Sequence, residues 1–150
     1  KQMQALTMRA MMALCRSSFS QSQNMSTEEL QILMDDRPEE VVILDVRRKD
    51  EFDVSHIKGA ICAGENGELI DLAAVASSVE KDAPNGGKTI ACYCSVGYRS
   101  ARLAQKLLVE HGCRRAFNVE GSIFKWANEG RRVFRGEVEV VPTKVHPYNH

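Results

Sequence analysis

Two short apolar runs constrain the fold of this chain more than any other feature of its sequence. Residues 41–44 and 89–93 are continuously apolar rather than alternating, which is typical of strands buried on both faces. Stretches with helical spacing follow them at 68–79 and at about 100–110. Strands that alternate with helices in this way predict an α/β domain with a mainly parallel sheet flanked by helices.

Weaker patterns add further elements to this frame. The shorter predicted elements are helices at 26–35, 49–52 and 123–129, strands at 59–61 and 116–119, a loop at 82–87 and a hairpin at 133–140. A length of 150 residues suits one domain. We therefore predict an N-terminal extension at 1–24, a domain at 25–132 and a tail at 133–150.

Cys94 stands between a predicted strand and the helix that follows it. Backbone N–H groups in such a loop and in the first helical turn have no partners within the helix, and the helix dipole adds partial positive charge there. Both effects favour an anion, including a sulfur anion on Cys94. Gly97 permits a tight turn within the loop, whereas Cys92 lies inside the strand and is predicted to be a buried, inert thiol.

The charge and cysteine counts exclude several classes of protein. Twenty basic residues balance twenty acidic residues, so no overall field favours nucleic acid or an anionic membrane. Five irregularly spaced cysteines argue against a secreted disulfide framework, and no apolar run approaches the roughly 20 residues of a membrane span. The first 24 residues lack acidic side chains, which fits either a transit peptide or a loosely helical extension. We predict a cytoplasmic or mitochondrial protein.

Four segments, taken in order, resemble the signatures of the rhodanese, or sulfurtransferase, superfamily. They are residues 43–47, 51–60, 94–100 and 121–126, and the likeness runs from about 26 to 132. Ser55 and Ser122 depart from it, because each stands where the family usually or often has glycine. The resemblance implies a single-domain, rhodanese-like three-layer sandwich in which both serines occupy turns.

The resemblance also implies a chemistry centred on Cys94. Its thiolate would take a sulfane sulfur from a donor such as thiosulfate or a persulfide and hold it as a persulfide. Cyanide or a thiol acceptor such as glutathione or a thioredoxin-like protein would then remove the sulfur, with no metal or other cofactor. The residues implied in substrate binding are Arg47, Ser95, Val96, Gly97, Tyr98 and Arg99.

Two of these residues have alternative interpretations. Arg99 either grips the anionic end of a donor or turns outward to pair with an acidic neighbour. Arg47 either contacts the donor at the mouth of the site or forms an ion pair with Asp50 or Glu51. Tyr98 is expected to form a wall of the pocket.

Loop length favours sulfur over phosphate chemistry. Cys94 to Arg99 spans six residues, whereas related cysteine phosphatases and arsenate reductases have one more, which makes room for a tetrahedral oxyanion. Two other functions stay open. One is a persulfide carrier or protein-interaction module with weak turnover of small donors. The other is a redox role in which Cys94 forms a disulfide with Cys92 or another thiol, although bridging residues so close along a strand would strain the chain.

Overall fold

A computed structural model of the chain describes residues 2–81 and 87–148. The helices in this part of the chain are α1 (Gln2–Ser18), α2 (Thr27–Asp36), α3 (Lys49–Val54), α4 (Leu72–Lys81), α5 (Tyr98–Glu110) and α6 (Ser122–Asn128). The strands are β1 (Gln23–Met25), β2 (Val41–Asp45), β3 (Ile61–Cys62), β4 (Thr89–Tyr93), β5 (Ala116–Val119), β6 (Phe134–Arg135) and β7 (Val138–Glu139). Short 3-10 helices lie at Pro38–Glu40 and Glu65–Gly67. Most of the predicted loop at 82–87 lies outside the described residues.

Five strands form one parallel sheet in the order β1-β5-β4-β2-β3. The two apolar runs of the sequence are its central neighbours, with Ile43 opposite Ala91 in register. The predicted parallel α/β architecture is therefore confirmed. Because all strands run the same way, their carboxyl ends meet at one edge, where ligands bind in sheets of this kind.

Side chains of the central strand alternate between two cores, as the pleat of a strand requires. Ile90 and Cys92 face a core built with α4 and α5, whereas Ala91 and Tyr93 face a second core built with α2 and α6. The result is three layers, helices on each face of the sheet. Buried side chains such as Leu107 and Trp126 each contribute roughly 1.5–3 kcal/mol or more when removed from water.

The N-terminal helix α1 packs on the domain near the start of α5. Arg16 forms a 2.6 Å ion pair with Glu120, and the backbone N–H of Gln21 donates to Gln105. The least exposed α1 side chains from residue 7 onward recur at helical spacing, so one face of the helix is turned to the domain. They are Met8, Met11, Met12 and Cys15.

The C-terminal segment forms the predicted hairpin and then runs back across the domain. β6 and β7 are antiparallel, and Phe134 pairs with His56. The Ser55 hydroxyl donates to the carbonyl of Lys144 at 2.5 Å. Ser55, one of the two departures from the usual glycine positions, therefore anchors this returning segment. In the described part of the chain, no helix combines the length and apolar character needed to cross a membrane.

Candidate active site

Cys94 directly follows β4 at the carboxyl edge of the sheet, and its side chain is only 1% exposed. Its Sγ accepts a hydrogen bond from the Gly97 backbone N–H at 3.1 Å. The Ser100 hydroxyl lies 3.3 Å from the same sulfur and 2.6 Å from Asn118 Oδ1. Because a hydroxyl has one proton, Ser100 donates to only one of these acceptors at a time.

The backbone of Gly97 shapes the loop around the sulfur. Its φ of +114° is a conformation that L residues with a side chain rarely adopt. This turn aims the Gly97 N–H at Sγ and starts α5 at Tyr98, two residues earlier than predicted. The positive end of the α5 dipole therefore lies beside the sulfur, and Ser100 belongs to the first helical turn.

Ser122 holds the other side of the loop. Its hydroxyl accepts the Cys94 backbone N–H at 3.1 Å and donates to the Val119 carbonyl at 2.9 Å. The backbone N–H groups of Ile123 and Phe124 donate to the carbonyls of Cys94 and Ser95. The sequence marked Ser122 only as a turn residue, and its φ of +51° fits that interpretation. The sequence did not predict that the Ser122 hydroxyl contacts the backbone of Cys94. The only signal for this contact was the presence of a hydroxyl at a turn position.

A buried ion pair closes the base of the loop. Arg99 donates to both carboxylate oxygens of Glu51, at 2.8 and 3.1 Å, and to Ser95 Oγ at 2.8 Å. The Ser95 hydroxyl in turn donates to Glu51 at 3.2 Å. Arg99 thus pairs with an acidic residue, but it turns inward rather than outward. Its guanidinium carbon also lies 3.9 Å from the centre of the Tyr148 ring.

The charge of Glu51 is stabilised despite its burial. Burial alone would raise the pKa of this carboxyl, but hydrogen bonds from Arg99 and the Arg48 backbone, with the charges of both arginines, outweigh it. The pKa of Glu51 is consequently lowered from its ordinary value of 4.5. For Arg99, burial opposes the charged form, yet its bonds to Glu51 keep the guanidinium pKa above the ordinary range.

Arg47 does not join the residues around Cys94. Its guanidinium is completely buried, donates to both oxygens of Asp45 at 2.8 and 2.7 Å, and donates to the Ser55 carbonyl at 2.7 Å. Its partner is neither Asp50 nor Glu51, the two predicted alternatives. With no exposed surface, Arg47 offers nothing to a donor in this conformation, so its predicted role in substrate binding gains no support from its placement.

Val96 and Tyr98 lie on the outer side of the loop. Val96 is half-buried and lines a cavity between the loop, α1 and α6. The Tyr98 ring is 40% exposed and packs edge-to-face on Phe19, with 4.9 Å between ring centres. The cavity and the contact of Phe19, which directly follows α1, therefore place α1 beside the loop that carries Cys94.

The other cysteines differ from Cys94 in their surroundings. All five thiols are free. Burial, with smaller effects from the nearby Cys94 and Glu120 charges, raises the pKa of Cys15 to about 11. Cys92 is completely buried, as predicted, and this burial raises the pKa of its thiol, which favours the protonated form. The described residues contain no group of three or more metal-binding side chains.

This arrangement fits nucleophilic rather than acid–base chemistry. A thiolate on Cys94 would be stabilised by the Gly97 N–H, by the Ser100 hydroxyl and by the α5 dipole, all in a site that excludes water.

The family model for the rhodanese-like domain matches residues 26–129. No curated protein matches the sequence significantly.

Among solved structures, the chain is similar to a thiosulfate sulfurtransferase from Pseudomonas aeruginosa (23% identity, TM-score 0.63), covering 91% of this chain but only 25% of that one. A polysulfide-sulfur transferase homodimer from Wolinella succinogenes is also similar (20% identity, TM-score 0.59), and the match covers 92% of this chain and 90% of that one. A protein of unknown function, a "possible tyrosine phosphatase", from Rhodopseudomonas palustris is similar as well (21% identity, TM-score 0.58), and the match covers 85% of this chain and 93% of that one. At these identities the likenesses establish the fold.

Proposed function

Because the chain belongs to the rhodanese-like domain family, a family of the sulfurtransferase type, we propose that it transfers a sulfane sulfur through a persulfide on Cys94. The observation that carries this proposal is the position of Cys94 Sγ. It lies at the carboxyl edge of the parallel sheet and accepts the Gly97 N–H at the start of α5. These contacts support Cys94 as the residue that carries the sulfur anion.

The reaction has two displacement steps. The Cys94 thiolate attacks the outer sulfur of a donor such as thiosulfate, a new S–S bond forms, and the donor's S–S bond breaks as sulfite leaves with the electron pair. Cyanide or a thiolate then attacks the outer sulfur of the Cys94 persulfide. The second S–S bond breaks, the acceptor departs with the sulfur, and Cys94 is again a thiolate.

The loop supplies hydrogen-bond donors to both forms of Cys94. The Gly97 N–H is fixed by the turn and needs no rearrangement when charge shifts along the persulfide, and the Ser100 hydroxyl adds a second donor when its proton turns from Asn118 to the sulfur. The six-residue span from Cys94 to Arg99 supports sulfur rather than a tetrahedral phosphate as the bound group.

One observation favours the carrier function as a second candidate. Arg99 and Arg47 are both engaged in internal ion pairs, and Ser95 and Val96 are uncharged. Thiosulfate, a compact dianion, would find little positive charge near Sγ. In that case the protein would receive sulfur from a persulfide and pass it to glutathione or a thioredoxin-like protein, turning over thiosulfate weakly. Five free thiols fit our proposal of a cytoplasmic or mitochondrial location.

The test is direct detection of the persulfide. The protein is incubated with thiosulfate or with a small persulfide, and the Cys94 peptide is examined for a mass gain of one sulfur. Cyanide is then added and thiocyanate is measured. We expect labelling and turnover in the wild type and in Cys92→Ser, and neither in Cys94→Ser.

The outcomes separate the candidates. Absence of labelling by both donors, or labelling that survives Cys94→Ser, contradicts the proposal. Labelling by the persulfide with slow turnover of thiosulfate supports the carrier function.

A further inference from the structure

A cavity of about 510 Å³ opens beside the Cys94 loop. It is bounded by α1, by the loop, by α6 and by the C-terminal segment. Its described lining residues are Thr7, Met8, Met11, Val96, Phe124, Ala127, Asn128 and Val145. The volume is within the range of sites that hold small organic molecules.

The lining is apolar and uncharged. Two methionines, two valines, a phenylalanine and an alanine form most of it, and none of the described lining residues is acidic, basic or histidine. Methionine side chains are flexible and polarizable, so Met8 and Met11 can adapt to aliphatic groups of varied shape. A charged ligand would lose its hydration here without gaining a counterion, whereas a hydrocarbon group would gain by leaving water.

The cavity is joined to the catalytic loop through two residues. Val96 is the second residue after Cys94 and directly precedes Gly97, whose N–H contacts Sγ. Phe124 lines the cavity, and its backbone N–H donates to the carbonyl of Ser95, the residue next to Cys94. A molecule in the cavity therefore lies against the same loop segment that holds the sulfur.

We propose that this cavity binds the hydrocarbon body of an uncharged, apolar thiol, which serves as the sulfur acceptor. The proposal rests on the proposed function, because the acceptor needs a Cys94 persulfide to attack. The acceptor's thiolate sulfur bonds to the outer sulfur of the persulfide, and the bond from that sulfur to Sγ breaks. Its electron pair returns to Cys94 as a thiolate, the acceptor leaves as a persulfide, and the acceptor's proton passes to solvent.

The test uses straight-chain thiols. Cys94 is first loaded with sulfur, and the rate at which each thiol removes it is then followed by mass spectrometry. The series consists of propanethiol, butanethiol and pentanethiol, which are matched in reactivity. 2-Hydroxyethanethiol is the polar member, and its rate is compared per thiolate because its hydroxyl makes the thiol more acidic. Burial of each added methylene should raise the second-order rate constant about threefold to fourfold.

Variants in α1 show whether the cavity is responsible. Met8→Gln and Met11→Gln should flatten the dependence on chain length when each thiol's rate is divided by the rate of sulfur removal by cyanide in the same variant. Cyanide has no hydrocarbon body, so its rate reports only access to Cys94. Met11→Leu should retain the dependence. Met12→Gln is the matched control, since Met12 lies on the same packed face of the helix but not among the cavity residues, and it should retain the wild-type dependence on chain length.

Failure of this inference differs from failure of the proposed function. Equal rates for all thiols on a loaded protein, or an unaltered chain-length dependence in both glutamine variants, would overturn the apolar-acceptor proposal alone. If Cys94 cannot be loaded by any donor, the proposed function itself fails.

Discussion

At the scale of single residues, the Cys94 loop depends on the buried ion pair of Glu51 and Arg99. Glu51 is fully buried, and its two oxygens receive the guanidinium of Arg99, the hydroxyl of Ser95 and the backbone N–H of Arg48. Removing one partner of a buried pair leaves the other charge uncompensated, which typically costs about 3–5 kcal/mol. The pair therefore fixes the base of the Cys94 loop.

Glu51→Gln is expected to lower the free energy of unfolding by about 3 kcal/mol, because Arg99 then keeps its charge without a buried counterion. Urea denaturation at pH 7 measures the loss. Asp50→Asn is the matched control on the same helix, since Asp50 is exposed and should change the stability by less than about 0.5 kcal/mol. Equal effects of the two substitutions would contradict the structural role of Glu51.

The same pair predicts a dependence of stability on pH. Because folding lowers the pKa of Glu51 from its ordinary value of 4.5, the unfolded chain takes up a proton at higher pH than the folded one. This contribution to stability is complete above about pH 5. It is lost progressively as the pH falls through 4.5 toward the lowered folded value. The free energy of unfolding, measured by urea denaturation at several pH values between 6 and 3, should fall less steeply with decreasing pH in Glu51→Gln than in the wild type.

The contact between Ser100 and Cys94 leads to a third prediction at this scale. Its hydroxyl lies within hydrogen-bond distance of Cys94 Sγ, so Ser100→Ala removes a donor to the thiolate. We expect alkylation of Cys94 by iodoacetamide to slow about tenfold, which corresponds to one hydrogen bond to a charged group. Mass spectrometry of the Cys94 peptide gives the rate. Ser78→Ala, on the exposed face of α4, should leave the rate unaltered. An unaltered rate in Ser100→Ala would mean that the hydroxyl donates to Asn118 throughout.

At the scale of elements, α1 lies beside the loop that carries the nucleophile. Phe19, the residue directly after α1, packs on Tyr98, and Met8 and Met11 line the same cavity as Val96. Cys94 is only 1% exposed, so a donor reaches the sulfur only after a rearrangement, and we expect α1 to be the cover that moves. Motions of this kind can set the rate of turnover.

Loosening the cover should therefore speed modification of Cys94. Phe19→Ala removes an aromatic pair worth roughly 0.5–1.5 kcal/mol beyond its buried area, so the open form should become several-fold more populated. The rate of Cys94 alkylation should rise by the same factor. Leu14→Ala, on an exposed face of α1, is the control and should leave the rate unchanged. If Phe19→Ala also leaves it unchanged, α1 is not the barrier.

At the scale of the whole molecule, local sequence patterns predicted the parallel sheet with its flanking helices and the nucleophile Cys94. The buried strands at 41–44 and 89–93 each left an apolar run, and Cys94 followed from its place between strand and helix. β1 was missed because Gln23–Met25 is three residues long and begins with polar side chains, which carry no strand pattern. Packing against β5 alone makes this segment a strand.

The features of the fold and of the site that the sequence did not predict depend on tertiary contacts. Glu51 and Arg99 are 48 positions apart, so no spacing rule joins them. Arg47 and Asp45 are close in sequence, but only the buried geometry at the end of β2 determines that they pair. The covering positions of α1 and of the C-terminal segment likewise follow from tertiary packing, for which the sequence offers no periodic signal.

The lengths of the outermost strands bear on association between copies of the chain. β1 has three residues and β3 has two, and these are the edges of the main sheet. Short edges present few unpaired backbone groups, so they are poor templates for strand addition by another chain. A formal net charge of zero at pH 7 provides no overall repulsion between molecules. Near neutral pH, resistance to aggregation therefore depends on the shortness of these two edges.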